Sequence, residues 1–120
     1  MTKQYTDAVQ TAHLIALGFP TPKSVSKLTL DIDMDTIPTF NYSIGELISL
    51  LPRCIKGSGD TAVLTIFYDA CDGEWCCGHR WHYSRKWRLC GKDYQMTIYD
   101  IELVDALYRY IVELKEEGKI

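Results

Sequence analysis

The chain has no apolar run approaching the roughly 18 residues of a membrane-spanning helix. Its first residues, MTKQYTDAVQ, lack the apolar core of a secretory leader. A soluble cytoplasmic protein with no membrane partner is therefore expected. Basic excess is also missing: the formal net charge is -3 and the pI about 5.5, so the molecule as a whole has no electrostatic pull towards nucleic acid or anionic lipid. The GxxxxGK[ST] order of a phosphate loop is absent from KGSGD (56–60), and Ser58 does not stand in a GxSxG elbow. No CxxC pair opens a helix, which removes the usual redox arrangement. Asp69, His79 and any serine share no spacing that would bring them into hydrogen-bond reach, so no catalytic residue is assigned and no cofactor is expected. Neither repeats nor low-complexity tracts interrupt the 120 residues, and we treat 1–120 as one domain.

What is present suits a folded domain. Hydrophobic residues make up 47%, charged 24% and aromatic 12%, enough to build a core without metal or disulfide support. Five cysteines is an odd number, and in a reducing compartment these are expected to be free thiols, mostly buried.

Helical spacing of Ala8, Val9, Ala12, Ile15 and Ala16 predicts a first helix within 2–17, ended by Gly18 and Phe19. GFPTPKS, with Pro20 and Pro22, is a connection. LTLDIDMD (28–35) alternates Leu28, Leu30, Ile32 and Met34 with polar residues, predicting a half-buried strand. Its aspartates Asp31, Asp33 and Asp35 fit the first positions of a calcium loop, but Thr36 replaces the sixth-position glycine and Tyr42 the twelfth-position glutamate. They read better as acids on a solvated strand face. SIGELISLLP (43–52) opens with a capping box of Ser43 and Glu46, followed by an apolar stripe of Ile44, Leu47, Ile48 and Leu51. The last helix is expected to start from Asp100 as its cap, with Ile101, Val104, Leu107, Tyr108, Ile111 and Leu114 as a broad apolar face and Gly118 as its stop.

Residues 71–90, CDGEWCCGHRWHYSRKWRLC, carry four of the five cysteines and two of the three histidines. Asp72-Gly73 predicts a two-residue hairpin turn, with Asp69 facing Cys76, Tyr68 facing Cys77, Ile66 facing His79 and Leu64 facing Trp81. One sheet face then holds Ala62, Leu64, Ile66 and Tyr68 against Trp75, Cys77, His79 and Trp81. The other holds Thr65, Asp69, Cys71, Glu74, Cys76, Arg80 and His82. That separation works against zinc, which needs its ligands around one point. Only an irregular loop over 71–79 would let Cys71, Cys76, Cys77 or His79 converge with Cys90. In HRWHYSRKWR (79–88) the cations Arg80, Arg85, Lys86 and Arg88 alternate with aromatics such as Trp87, a composition that suits stacking on single-stranded nucleic acid.

SIGELISLLP and DIELVDALYRYIVELKEEGKI resemble segments of a group of small uncharacterised proteins from gut bacterial genomes and their phages or mobile elements. Tyr42, Ser43, Leu47, Ile48, Leu51 and Pro52 match the group's W/Y-S-x-x-x-L-[IL]-x-x-LP pattern. The resemblance implies an N-terminal helix, a short hairpin and an acidic-capped final helix. It transfers no activity, and the cysteine-rich hairpin is not part of its pattern.

The expected architecture is α+β: an antiparallel sheet from 61–70, 74–83 and 94–98, with 27–34 as a candidate fourth strand and two or three helices packed on one face. The leading functional expectation is a small non-enzymatic accessory or protein-interaction domain with an unknown protein partner. The first alternative is a nucleic-acid-binding module using Arg80, Arg85, Lys86, Trp87 and Arg88. The second is a zinc domain using Cys71, Cys76, Cys77, His79 and Cys90.

Overall fold

A computed structural model describes residues 2–56, 61–81 and 97–120. The elements in chain order are α1 (Ala8–Ala16), β1 (Val25–Leu30), β2 (Thr36–Phe40), α2 (Ile44–Leu50), β3 (Cys54–Lys56), β4 (Thr61–Asp69), β5 (Glu74–Trp81), β6 (Thr97–Asp100) and α3 (Leu103–Glu116). The fold is α+β, as the sequence implied. Its main sheet is antiparallel in the order β3-β4-β5-β6, and β1 and β2 form a separate two-stranded hairpin. The expectation that 27–34 joins the main sheet is thus corrected: Leu28 pairs with Pro38 and Leu30 with Thr36. Positions 82, 83 and 94–96 of the expected strands lie outside the described residues.

One face of the main sheet carries Ile55, Leu64, Ile66, Trp75, Cys77 and Ile98, all packed in the core cluster. The helices cover that face. They contribute Leu14 from α1, Leu47 from α2, Leu51 just after it, and Val104, Ala106, Leu107, Tyr110, Ile111 and Leu114 from α3. The α3 face is broad enough to bury six residues because its apolar positions recur every three or four residues. Its start differs from expectation. Asp100 ends β6, where its carboxylate accepts from the Glu102 amide (3.3 Å) and pairs with Arg109 (3.2 Å). Glu102 is the N-cap residue, and Ile101, expected on the buried face, is 72% exposed.

Local signals hold elsewhere. Ser43 caps α2 and forms the capping box with Glu46 in both directions. Gly18 takes φ +96°, which only glycine adopts without steric cost. That conformation lets the Gly18 amide reach Ile15 O (3.0 Å) and the Phe19 amide reach Leu14 O (3.2 Å), a complete Schellman closure of α1.

The inward face of α1 is not the expected one. Val9 is 79% and Ile15 41% exposed, while Thr11 and Leu14 are buried. A directed polar chain explains the rotation. The Tyr42 amide donates to Thr6 Oγ1 (3.0 Å) and the Thr6 hydroxyl donates to Thr11 Oγ1 (2.7 Å). Thr11 donates in turn to Asn41 Oδ1 (2.5 Å). Asn41 Nδ2 then donates to Ser26 Oγ (2.7 Å), whose hydrogen goes to Thr39 O (3.1 Å). Each hydroxyl hydrogen in the chain has an acceptor, which offsets the cost of burying these groups. The chain ties α1 to the base of the β1–β2 hairpin. Thr11→Val keeps the shape but leaves the Thr6 hydroxyl without an acceptor and Asn41 Oδ1 without a donor. It is expected to cost about 1–3 kcal/mol, read as a lowered denaturant midpoint at unchanged m-value.

The N-terminal segment is held at the start of α3. Lys3 Nζ meets Asp105 Oδ1 at 2.7 Å, the same oxygen accepts from Gln10 Nε2 at 2.8 Å, and the Lys3 amide donates to Glu102 at 2.9 Å. Partial burial alone would raise the Asp105 carboxyl, but these hydrogen bonds and the Lys3 charge outweigh it and hold the group below its usual value.

Candidate functional site

The cysteine and histidine positions separate along β4 and β5. The connecting loop runs over four residues, Ala70 to Gly73, with Asp69 paired to Glu74, instead of the expected two-residue turn. Asp69 sets it: its Oδ1 accepts from the Cys71 amide (3.0 Å), its carbonyl accepts from the Gly73 amide (2.8 Å), and Gly73 takes φ +68°. Tyr68 therefore faces Trp75, Ile66 faces Cys77 and Leu64 faces His79. The correction is two residues, and because side chains alternate with a period of two, the paired residues of β4 and β5 keep their expected faces, while Cys71 moves from the sheet to the turn and His82 lies outside the described residues.

Cys71 lies exposed on the turn, while Cys76 and Cys77 are fully buried on opposite faces of β5. Burial, with a smaller contribution from neighbouring Cys76, pushes the Cys77 thiol up to about 12, so it stays protonated and is a poor nucleophile. His79 is 2% exposed and both ring nitrogens are engaged. Nε2 lies 2.7 Å from Pro52 O, which can only accept, so Nε2 carries the hydrogen. Nδ1 is then the acceptor for the Tyr110 hydroxyl. No lone pair on His79 is left for a metal. Cys54 is a further exposed thiol on β3. Cys90, like Arg85, Lys86, Trp87 and Arg88, lies outside the described residues, and Arg80 is half-buried near the end of β5. His13, on α1, is half-buried and bonds Tyr108 across to α3 (2.5 Å).

Among the described residues, the group of metal-ligating side chains that does converge is Asp31, Asp33 and Asp35, whose nearest oxygens lie within 4.8 Å of one another. They form the tip of the β1–β2 hairpin. Asp31 Oδ1 accepts from the amides of Asp33 (2.9 Å) and Asp35 (2.8 Å), while the Met34 amide bonds Asp31 O (3.1 Å). Met34 helps close this five-residue loop at φ +64°, a left-handed position that costs a non-glycine residue roughly 1–2 kcal/mol. Thr36 onwards, where a calcium loop would continue, is instead strand β2.

The hairpin itself is amphipathic. Paired residues share a face, so Leu28 with Pro38, Leu30 with Thr36, and Val25 with Phe40 lie on one side. Lys27 with Thr39 and Thr29 with Ile37 lie on the other. A bulge between Val25 and Lys27 makes this possible: it turns Ser26 to the Asn41 network and returns Val25 to the apolar side. Nothing among the described residues covers that side. Leu28 is 64%, Leu30 61%, Phe40 46% and Val25 42% exposed. At the base the strip runs through Phe40 into an open groove of about 460 Å³ lined by Ile15, Thr21, Pro22, Lys23 and Phe40. The alternation of Leu28 and Leu30 predicts a half-buried strand, whereas the structure leaves their side of the hairpin exposed. The missed signal is the aspartate at 31, two and four residues before others, which is turn chemistry more than strand chemistry.

No helix of the described residues is long and apolar enough to cross a membrane. Compared with protein-family models, curated proteins and solved structures, the chain matches none of them.

Proposed function

We propose that the protein is a non-enzymatic protein-interaction module that binds its partner through the apolar face of the β1–β2 hairpin. One observation carries the reading: Leu28, Leu30, Val25 and Phe40 stand exposed side by side and continue into the Ile15–Pro22 groove. Scattered exposed apolar residues are ordinary, but a contiguous strip on a rigidly anchored element loses free energy in water that a partner would recover. The anchoring also supports it, because the Thr6–Thr11–Asn41–Ser26 chain fixes the hairpin before binding and reduces the ordering cost of association. Activity in a reducing cytoplasm, as an accessory protein of gut bacteria or their mobile elements, is the setting suggested by its exposed free thiols and by the sequence resemblance.

A photo-crosslinking residue in place of Leu28, in the full chain expressed in cells, is expected to give one or a few discrete adducts. The same residue in place of Ile37, on the polar side, is expected to give several-fold fewer. No adduct from position 28, or equal yields from both positions, would rule the reading out.

A further inference from the structure

We propose that a cavity between the β4–β5 turn and the start of α3 binds an alkylated ammonium group. The cavity, of about 420 Å³, is lined by Thr2, Tyr68, Gly73, Trp75, Ile101 and Glu102 and shares no residue with the hairpin strip. Small-molecule sites usually enclose about 300–1,000 Å³, so the space is sufficient. Strand register places its aromatic wall. Tyr68 pairs with Trp75, and Trp75 with Asp100, so this row of side chains crosses one face of the sheet before the chain turns through Ile101 and Glu102 into α3. The Tyr68 and Trp75 rings have centroids 5.2 Å apart and are tilted by 58°. Trp75 packs against the core cluster, whereas Tyr68 is half exposed. A β-carbon on Gly73 would lie 3.8 Å from the Tyr68 hydroxyl, so the turn passes beside the outer end of that ring. On the other side the Lys3 amide donates to Glu102 Oε2 (2.9 Å) and holds the N-terminal segment against the start of α3.

The chemistry of the walls selects the ligand. A cation within about 6 Å of an aromatic centroid is drawn to the ring, and these two rings stand close enough for one cation to reach both. Glu102 supplies the charge. Its carboxylate accepts from neutral Lys3 N–H and makes no ion pair among the described residues, because Lys3 Nζ is spent on Asp105 (2.7 Å) and Arg109 on Asp100 (3.2 Å). An anion would meet that carboxylate with no cation to offset it. Calcium needs about six to eight oxygen ligands, far more than one carboxylate and the hydroxyls of Thr2 and Tyr68 provide. A primary ammonium is strongly hydrated and brings three donors that rings and an isoleucine cannot satisfy. Alkylation removes those donors and replaces them with apolar surface. Methyl groups would then cover Ile101 and Tyr68, which are otherwise 72% and 50% exposed.

Amide and indole chemical shifts of the full chain, followed as choline is added to about 50 mM at constant ionic strength, test the proposal. Saturable shifts are expected at the Trp75 indole and at the Gly73 and Glu102 amides, half-complete at about millimolar choline. The uncharged alcohol in which carbon replaces choline's nitrogen should bind at least about tenfold more weakly. Tyr68→Leu and Glu102→Gln should each weaken choline binding about fivefold or more, with the rest of the amide spectrum unchanged. Both variants should fold, since Tyr68 lies outside the core cluster and glutamine can still accept from the Lys3 amide. Trimethyllysine titrated in the same way separates the sources of the group: tighter binding than choline assigns it to a modified protein side chain, weaker binding to a free metabolite. No saturable shift by the end of the choline titration overturns the site. Equal binding of the uncharged alcohol overturns the cation, and choline binding undiminished in both variants overturns the location.

Discussion

Truncating Leu107 to alanine is expected to lower the unfolding free energy by about 2–5 kcal/mol, the range for a fully buried leucine whose surroundings relax only partly. Leu107 has no exposed surface and lies where α3 meets the residues of α1, α2 and the sheet in one cluster. Domains of this size are stable by only about 5–15 kcal/mol, so the change removes a large share, and the melting temperature should drop by roughly 10 °C or more. Ile101→Ala and Val9→Ala are the controls. Both are large apolar residues that helical periodicity would place in the core, yet they are 72% and 79% exposed. Each is expected to change stability by less than about 0.5 kcal/mol. If calorimetry showed Ile101→Ala to be as costly as Leu107→Ala, the position of the α3 start would be wrong, and the same result for Val9→Ala would overturn the rotation of α1.

Those controls show where sequence reading succeeds and where it stops. The α2 capping box and the Gly18 closure were legible because their partners lie within five residues, and no tertiary contact is needed to choose them. The division of β4 and β5 into two faces also survived, although the turn was longer than Asp72-Gly73 suggested, because a slip of two residues preserves parity. Rotation of α1 was not legible. It depends on Thr11 finding Asn41 thirty residues away, and a polar residue that is buried because its partner is buried leaves no apolar signature. The hairpin was half legible. Alternation in LTLDIDMD marks Leu28 and Leu30 as one side of a strand but wrongly extends it to Ile32 and Met34, which lie in the turn, 100% and 72% exposed; periodicity is also silent on whether anything covers the apolar side. The candidate interaction surface was hidden for that reason: its residues read as core, and only the fold shows that the core lies elsewhere. For His79 the outcome was the reverse. A residue that sequence offers as a ligand has both nitrogens spent on Tyr110 and Pro52.

Acidification should expose that histidine as a weak point of the fold. Burial lowers the His79 pKa below its ordinary 6.5; the Pro52 carbonyl opposes the shift and the Lys119 charge adds to it. Protonation would put a hydrogen on Nδ1, and the Tyr110 hydroxyl would have to turn its own hydrogen away and accept instead. The sign follows from proton counting. Above pH 6.5 neither state binds this proton and the contribution is complete. As the pH falls below 6.5, the unfolded chain takes up the proton while the folded chain resists it, so unfolding is favoured. The loss grows until the pH reaches the depressed folded-state value, at a limiting slope of about 1.4 kcal/mol per pH unit. Paired carboxylates such as Asp105 and Glu46, whose pKa values are lowered, give their stability up only at more acid pH, as they protonate. Chemical denaturation at half-unit intervals from about pH 7.5 to 4.5 is therefore expected to show a decline that begins near the ordinary histidine value, before the carboxylate phase. His79→Gln keeps a donor for Pro52 and cannot titrate; it should be less stable than wild type at neutral pH and should flatten the decline above pH 5. The wild-type minus variant difference cancels the other titrating groups. A difference that does not change with pH would mean that His79 titrates alike folded and unfolded, and that the Tyr110–His79–Pro52 arrangement does not hold the ring neutral.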